Sequence, residues 1–380
     1  MVYCKEMKKI AIFLGDFFWS SIPYDGLRLL SLIQNHFEAD LLMFDNDIRL
    51  NKKFQGNEKY FFETSIFTNF KNLKTIKNWE NLYSISKDYD LIITSSHIAP
   101  KTRFPHDMKK KIKCKIAVWD IGGSDILTNA IFFSNIFFVK SEIWKKWLLG
   151  KNVPQEDIFV TGSPHYDDYV LKNYDLKEKL SFYSKYNLNK DSKTILVCPS
   201  NPVSRKNQFE ENLNELEKLI VHAQNNNVEL LLKTYPHDYV FYEEEKPFSG
   251  IYKRAPLAVP QYEYLKNRYP SLKVIESQDH HKSIMFSCGL FNMSGSHVSW
   301  ETHFSKTKSF SINYKNKPYY SAVSYLPGVI FPDEIYNTHI EKITQISFDE
   351  KVYHEDNEYM ISVDSCNMIL NRILDAYTKN

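Results

Sequence analysis

Three stretches of the chain carry residue types and spacings suited to binding phosphates and hydroxyls. The first runs Phe291-Asn292-Met293-Ser294-Gly295-Ser296-His297-Val298-Ser299-Trp300-Glu301. An apolar run ends in Ser-Gly-Ser, and a helical pattern follows. That is the signature of a strand, a tight turn and a helix start. Gly295 lets a ligand approach the backbone closely, and the first N–H groups of a helix, with the positive end of its dipole, suit a pyrophosphate. Glu301 lies about two turns further on, where a carboxylate can accept hydrogen bonds from ribose hydroxyls. The same pattern also serves as an ordinary serine-capped turn.

The second stretch is Leu231-Leu232-Lys233-Thr234-Tyr235-Pro236-His237-Asp238. It sits where a buried strand ends, the edge at which open α/β sheets bind ligands. Lys233 and His237 there could neutralise or hydrogen-bond phosphates. A surface loop with a chance histidine is the alternative. The third is Cys198-Pro199-Ser200-Asn201-Pro202-Val203-Ser204-Arg205-Lys206-Asn207. Ser200 and Arg205 could hold a phosphate, or the segment is a proline-stiffened turn with exposed charges.

The first half offers bases instead of phosphate ligands. Gly15-Asp16, Ser95-Ser96-His97 and Asp120-Ile121-Gly122-Gly123 each follow an apolar run. Asp16, His97 and Asp120 are therefore candidates for deprotonating an acceptor hydroxyl, in that order of preference after Asp16, Asp120 then His97. Each is equally a turn or capping residue. Ser141, at another strand-to-helix turn, reads as a cap. His280-His281 lacks partners at metal-ligand spacing, so no metal or other cofactor is expected.

The elements that must position these residues form two series. In the first, strands are expected at Ile10–Leu14, Asp40–Phe44, Leu91–Thr94, Lys115–Trp119, Ile136–Val139 and Ile158–Val160. Helices are expected at Tyr24–Asn35, with Leu27, Leu30 and Ile33 on one face, and at Glu142–Leu149. A polar stretch, Asp168–Asp191, reads as a helical connection. The second series has strands at Thr194–Cys198, Glu229–Lys233, Ser271–Ile275, Leu290–Met293 and Ser309–Ile312. Its helices are Phe209–Gln224, one through Lys282–Ser287, and a start at Ser299–Ser305, with Tyr235–Pro270 read as irregular. Strand, helix, strand in repetition implies parallel sheets with right-handed crossovers. The expected division is a Rossmann-like acceptor domain over 1–167, a connection over 168–191, a donor-nucleotide domain over 192–355, and a C-terminal helix in 356–380 folding back across the cleft.

Composition bounds the function. The chain has 380 residues, of which 43% are hydrophobic and 25% charged, enough for two cores. Its 48 basic and 46 acidic residues give +2, no global case for nucleic acid or an anionic membrane. The one basic run, Lys109 to Lys115, is a solvated face or a contact for an anionic lipid-linked acceptor or nucleic acid. Five scattered cysteines without a CxxC pair suit a reducing compartment. With no signal-like start and no apolar run near ~18 residues, the expected location is cytoplasmic, with peripheral contact at the inner membrane face.

These pieces in this order resemble the GT-B glycosyltransferase superfamily, in the branch of UDP-N-acetylglucosamine 2-epimerases, CDP-glycerol glycerophosphotransferases and surface-polysaccharide transferases. The residues that carry the resemblance are Ser141–Leu149 with Ile158–Pro164, Ser294-Gly295-Ser296 through Glu301 with Lys308–Ile312, and Lys233-Thr234-Tyr235-Pro236-His237. In the last of these, Pro and His stand in the reverse of the branch's order. The resemblance implies an α/β protein of two Rossmann-like domains with a nucleotide-binding cleft between them. It implies a nucleotide-activated sugar or polyol phosphate as donor and a glycan or lipid-linked glycan as acceptor, in surface glycan or polysaccharide synthesis. A glycosyltransferase is preferred. The segment after Cys198 lacks the branch's epimerase-type His-Arg-Arg-Glu-Asn run, and the paired acids near Glu301 are reduced to one. An epimerase or hydrolase of the same nucleotide sugar, a viral DNA-base glycosyltransferase and a non-catalytic binding module are the alternatives.

Overall fold

The computed structural model describes residues 8–15, 22–44, 72–96, 108–120, 130–198, 216–221, 223–233, 259–275, 279–292, 298–305, 308–312, 329–330 and 364–378. The chain divides into two compact units, Met1–Leu171 with Asp356–Asn380, and Lys172–Glu355.

In the first unit, seven strands form one parallel sheet: β1 (Lys9–Gly15), β2 (Glu38–Phe44), β3 (Leu73–Ile76), β4 (Leu91–Ser95), β5 (Lys115–Trp119), β6 (Ile136–Val139) and β7 (Ile158–Val160). Their spatial order is β3-β2-β1-β4-β5-β6-β7. The chain starts mid-sheet, winds to one edge, then returns to the far side of β1. β1 pairs in parallel with both β2 and β4, so the winding reverses between β1 and β4. Strands covered on both faces need near-continuous apolar runs, and every residue of Leu91–Ser95 is buried. Beside them lie helices α1 (Ile22–Ile33), α2 (Trp79–Ile85), α3 (Glu142–Leu149) and α4 (Pro164–Leu171).

Helix α1 lies on β1 so closely that a Cβ at Gly26 would fall 2.3 Å from Leu14 Cδ2. Leu27, Leu30 and Ile33 join Ile10, Ile12 and Leu14 in the core of this face, together with Cys366, Ile369, Leu370 and Ile373 of the C-terminal helix, Ser365–Thr378. That helix is thus part of the first unit's own core. Asp364 caps it by accepting the Asn367 N–H at 3.1 Å, and the buried Asp167 carboxylate on α4 accepts the N–H groups of Ser365 and Cys366 at 3.1 and 3.3 Å.

The second unit repeats the plan with β8 (Lys193–Cys198), β9 (Val228–Lys233), β10 (Lys273–Ile275), β11 (Gly289–Asn292), β12 (Lys308–Ile312) and β13 (Val329–Ile330). Their order is β10-β9-β8-β11-β12-β13, again parallel and again reversing beside its first strand. Its helices include α5 (Leu176–Lys185), α6 (Val259–Arg268), α7 (His280–Phe286) and α8 (Val298–Phe304). A capping box starts α5, with Asp175 and Glu178 serving each other's backbone. Residues 216–221 and 223–225 are helical, and Leu216, Leu219, Ile220 and Ala223 pack on β8 and β9.

Two expectations need correction. The stretch Tyr235–Pro270 holds a ten-residue helix, α6. Pro260 falls in its first turn, where a missing N–H costs nothing because that group has no helical partner anyway. No strand or helix was expected between β2 and β4, yet that region supplies β3 and α2. β3 is an edge strand, two of whose four residues are exposed, so it lacks the apolar run that marks a central strand.

Candidate functional site

Both sheets present their carboxyl ends to the loops that hold the candidate residues. In the first unit the reversal of winding lies between β1 and β4. Gly15 ends β1, and Asp16 follows it in sequence; Ser95 ends β4, and His97 follows two residues later. Asp16 and His97 themselves lie outside the described residues.

Asp120 is described, directly after β5, and its backbone N–H bonds to Phe138 O at 2.9 Å. Its side chain is fully buried against Lys140, whose Nζ donates to Oδ2 at 3.0 Å. Lys140 follows β6 and is also fully buried, with its ammonium 4.8 Å from the centre of the Trp144 ring on α3. Burial pulls the Lys140 pKa below its ordinary value, and the Asp120 charge and hydrogen bond oppose that. Lys140 was not singled out from the sequence. The signal was there: a lysine directly after the apolar run Ile136–Val139.

Ser141 occupies the N-cap position of α3 but makes no side-chain capping bond, and its buried Oγ has no hydrogen-bond partner. This corrects its reading as a cap. Ser163, which precedes α4, likewise has a buried Oγ without a partner. Gly162 before it adopts φ 78°, a backbone region open chiefly to glycine. It lets the chain leave β7 and turn into α4.

In the second unit the reversal lies between β8 and β11. β8 ends at Cys198, two residues before Ser200, and β11 ends at Asn292, two residues before Ser294. Ser200, Arg205, His237, Ser294, Gly295 and Ser296 lie outside the described residues. Lys233 ends β9 and is half-buried; Glu301 lies in the first turn of α8 and is buried. The Cys198 thiol senses both. Burial pushes it up to about 12, the Lys233 charge draws it down, and the Glu301 charge raises it further. Lys233 ends β9 and Glu301 lies on the helix that follows β11, and both of those strands pair with β8.

Glu301 has a partner that sequence spacing did not suggest. His280 Nε2, at the start of α7, lies 2.5 Å from Glu301 Oε2. Its neighbour His281 pairs through Nδ1 with Tyr174 OH at 2.6 Å. Asp279 accepts from Lys185 and Tyr186 of the α5 region, both at 2.6 Å, which anchors the start of α7. Local spacing around the two histidines gives no sign of this carboxylate, which comes from a separate helix 21 positions along the chain. Among the described residues no group of three His, Cys, Asp or Glu is placed to hold a metal, and no helix is long and apolar enough to cross a membrane.

Two parallel sheets, each with this central reversal, define a protein of the GT-B fold, with two Rossmann-like domains. Among solved structures, the chain is similar to the UDP-GlcNAc 2-epimerase of Methanocaldococcus jannaschii, at 14% identity and TM-score 0.60, over 97% of this chain and 99% of that one. It is similar to the Neisseria meningitidis UDP-GlcNAc 2-epimerase bound to UDP-GlcNAc, at 13% identity and TM-score 0.60, over 97% and 100% of the two chains. It is also similar to a glycosyltransferase from Rickettsia africae, at 13% identity and TM-score 0.50, over 98% of each. No protein-family model matches the chain, and no curated protein matches it in sequence.

Proposed function

We propose that the chain is a glycosyltransferase using a nucleotide-activated sugar or polyol phosphate, with the donor bound by the second unit and the acceptor by the first. The observation that carries this reading is the placement of Lys233 at the end of β9 and of Glu301 on the helix after β11, on the two strands that flank β8 at the winding reversal of the second sheet. Lys233 neutralises diphosphate charge, Ser294, Gly295 and Ser296 approach the phosphates, and Glu301 accepts from the ribose. Ser200, Arg205 and His237 complete the phosphate contacts. With a nucleotide sugar, an acceptor hydroxyl attacks the anomeric carbon, its proton passes to a base, and the carbon–oxygen bond to the diphosphate breaks with its electron pair on the leaving oxygen; with a polyol phosphate donor the hydroxyl attacks the polyol-bearing phosphorus and the phosphorus–oxygen bond to the nucleoside monophosphate breaks in the same way. No metal is needed for this scheme, since fixed cations and backbone N–H groups stabilise the leaving group.

Asp16 is the preferred base. Asp120 is ion-paired with Lys140 and fully buried, so its carboxylate is already committed. His97 is the third candidate. The acceptor in this reading is a glycan or lipid-linked glycan, the setting surface polysaccharide synthesis in the cytoplasm, with peripheral contact at the inner face of the membrane.

A second reading, a nucleotide-sugar epimerase or hydrolase, is favoured by the epimerases that share the fold over nearly their whole length. Product analysis separates the two. Incubation with UDP-, CDP- and GDP-sugars, followed by proton NMR, should show nucleoside diphosphate release that depends on added glycan acceptor. Change at the sugar C2 with the nucleotide intact and no acceptor present would establish the epimerase instead.

A further inference from the structure

Glu301 is not placed by its own helix alone. α8 begins at Val298, so Glu301 is one turn inside, on a seven-residue helix whose Trp300 and Thr302 are also buried. A glutamate has three side-chain torsions, and a short helix does not fix the plane of its carboxylate. His280 does. Its imidazole comes from a different element, α7, and its Nε2 meets Oε2 at 2.5 Å. The backbone that carries the ring is anchored next door, because Lys185 and Tyr186 bind the carboxylate of Asp279, the residue just before α7. A carboxylate only accepts, so Nε2 carries the hydrogen and donates it. Side-chain exposure is 20% for His280 and 9% for Glu301, so the pair is sheltered but reachable from one side.

We propose that His280 is a positioning residue for donor recognition: it fixes the plane of the Glu301 carboxylate so that Glu301 discriminates ribose from 2′-deoxyribose in the bound nucleotide. The inference rests on the proposed donor role of the second unit. A carboxylate held in one plane directs its lone pairs at a fixed point, and vicinal ribose hydroxyls present two donors with a fixed separation. A carboxylate free to rotate satisfies a single hydroxyl nearly as well as a pair. The loss of His280 therefore falls on selectivity more than on affinity, since phosphate contacts with Lys233 do not pass through it.

The test is calorimetric titration of UDP, CDP and GDP, and of their 2′-deoxy counterparts, into wild type, His280→Ala, His280→Leu and His280→Gln, with thermal unfolding as the check on folding. Wild type is expected to prefer the ribonucleotide by about tenfold, the scale of a hydrogen bond to a charged group. In His280→Ala and His280→Leu the preference should fall toward unity. In His280→Gln, which retains an N–H donor, it should be largely restored. His280→Leu fills the space of the ring and keeps the test open if the alanine variant does not fold. Equal weakening of ribo- and deoxynucleotide, an unchanged preference in a folded variant, or no preference in wild type would each overturn the assignment of His280. Failure of UDP, CDP and GDP alike to bind wild type would overturn the His280 role, and failure of CMP and dTDP as well would overturn the donor reading beneath it.

Discussion

Lys140 places its ammonium 3.0 Å from the Asp120 carboxylate, and neither side chain reaches solvent. Each stands one residue beyond a strand of the first sheet, on the neighbouring strands β5 and β6. Burying either charge alone is expensive; together, with the Trp144 ring alongside, they offset each other. Lys140→Met and Asp120→Asn are each expected to destabilise the protein by about 3–5 kcal/mol, the range for breaking a buried pair. The double variant should lose much less than the sum, because no uncompensated charge remains. Denaturant unfolding of all three measures this, and additive losses would show that the two groups do not depend on each other.

Asp167 ties α4 to the start of the C-terminal helix, and its titration should be visible in stability. Burial pushes its carboxyl up to about 6, against the opposing hydrogen bonds from Ser365 and Cys366 and the Arg28 charge. With its folded pKa above the ordinary value of 3.8, the folded state holds the proton more tightly than the unfolded state. The resulting stabilisation is full below about pH 4 and is lost as pH rises through about 6. Asp25, paired with His165 at 3.2 Å, is shifted in the same direction by burial. Stability should therefore fall between pH 4 and 6, and Asp167→Asn should flatten part of that fall. An identical pH profile in the variant would remove Asp167 from the account.

Ser141 gives an expectation opposite to that for a capping serine. Loss of a functioning N-cap costs about 1 kcal/mol. Its Oγ makes no capping bond and is buried without a partner. Ser141→Ala should leave the unfolding midpoint unchanged or raise it. A loss near 1 kcal/mol would mean that the hydroxyl does cap α3 in solution.

Much of the fold was legible because buried parallel strands leave short, unbroken apolar runs. Ile136–Val139 and Ile158–Val160 have the same bounds in sequence and structure. The amphipathic helix Glu142–Leu149 does too, and the helix expected within 356–380 is found at Ser365–Thr378. β3 and α6 were not legible. β3 is a four-residue edge strand whose central Lys74 and Thr75 are exposed, and α6 hides behind a proline in its first turn. The places of Lys233 at a strand end and Glu301 at a helix start were legible because such motifs are local. His280–Glu301 and Lys140–Asp120 were not. Each joins residues about twenty positions apart in sequence through the packing of separate elements, and no local pattern encodes such a meeting.

The base in the first unit is open to direct kinetic test. General-base removal costs about 10²- to 10⁴-fold in rate. Asp16→Asn should lower turnover by that order while leaving nucleotide affinity nearly intact, since the proposed donor contacts lie in the other unit. Asp120→Asn should act mainly through stability, by way of Lys140. Full turnover in a folded Asp16→Asn variant would move the role to Asp120 or His97, and Asp120→Asn and His97→Ala assayed in the same way would decide between them.

The account depends most on the second unit being a nucleotide site built around Lys233 and Glu301. Calorimetric titration of UDP, CDP, GDP, CMP and dTDP into wild type, Lys233→Met, Glu301→Gln and Gly295→Val tests it most directly. At least one nucleotide should bind wild type. That affinity should fall about tenfold or more in each variant, most in Gly295→Val, where a β-branched side chain blocks approach to the phosphates. Binding of none of the five to wild type, or unchanged affinity in folded Lys233→Met and Glu301→Gln, would contradict it.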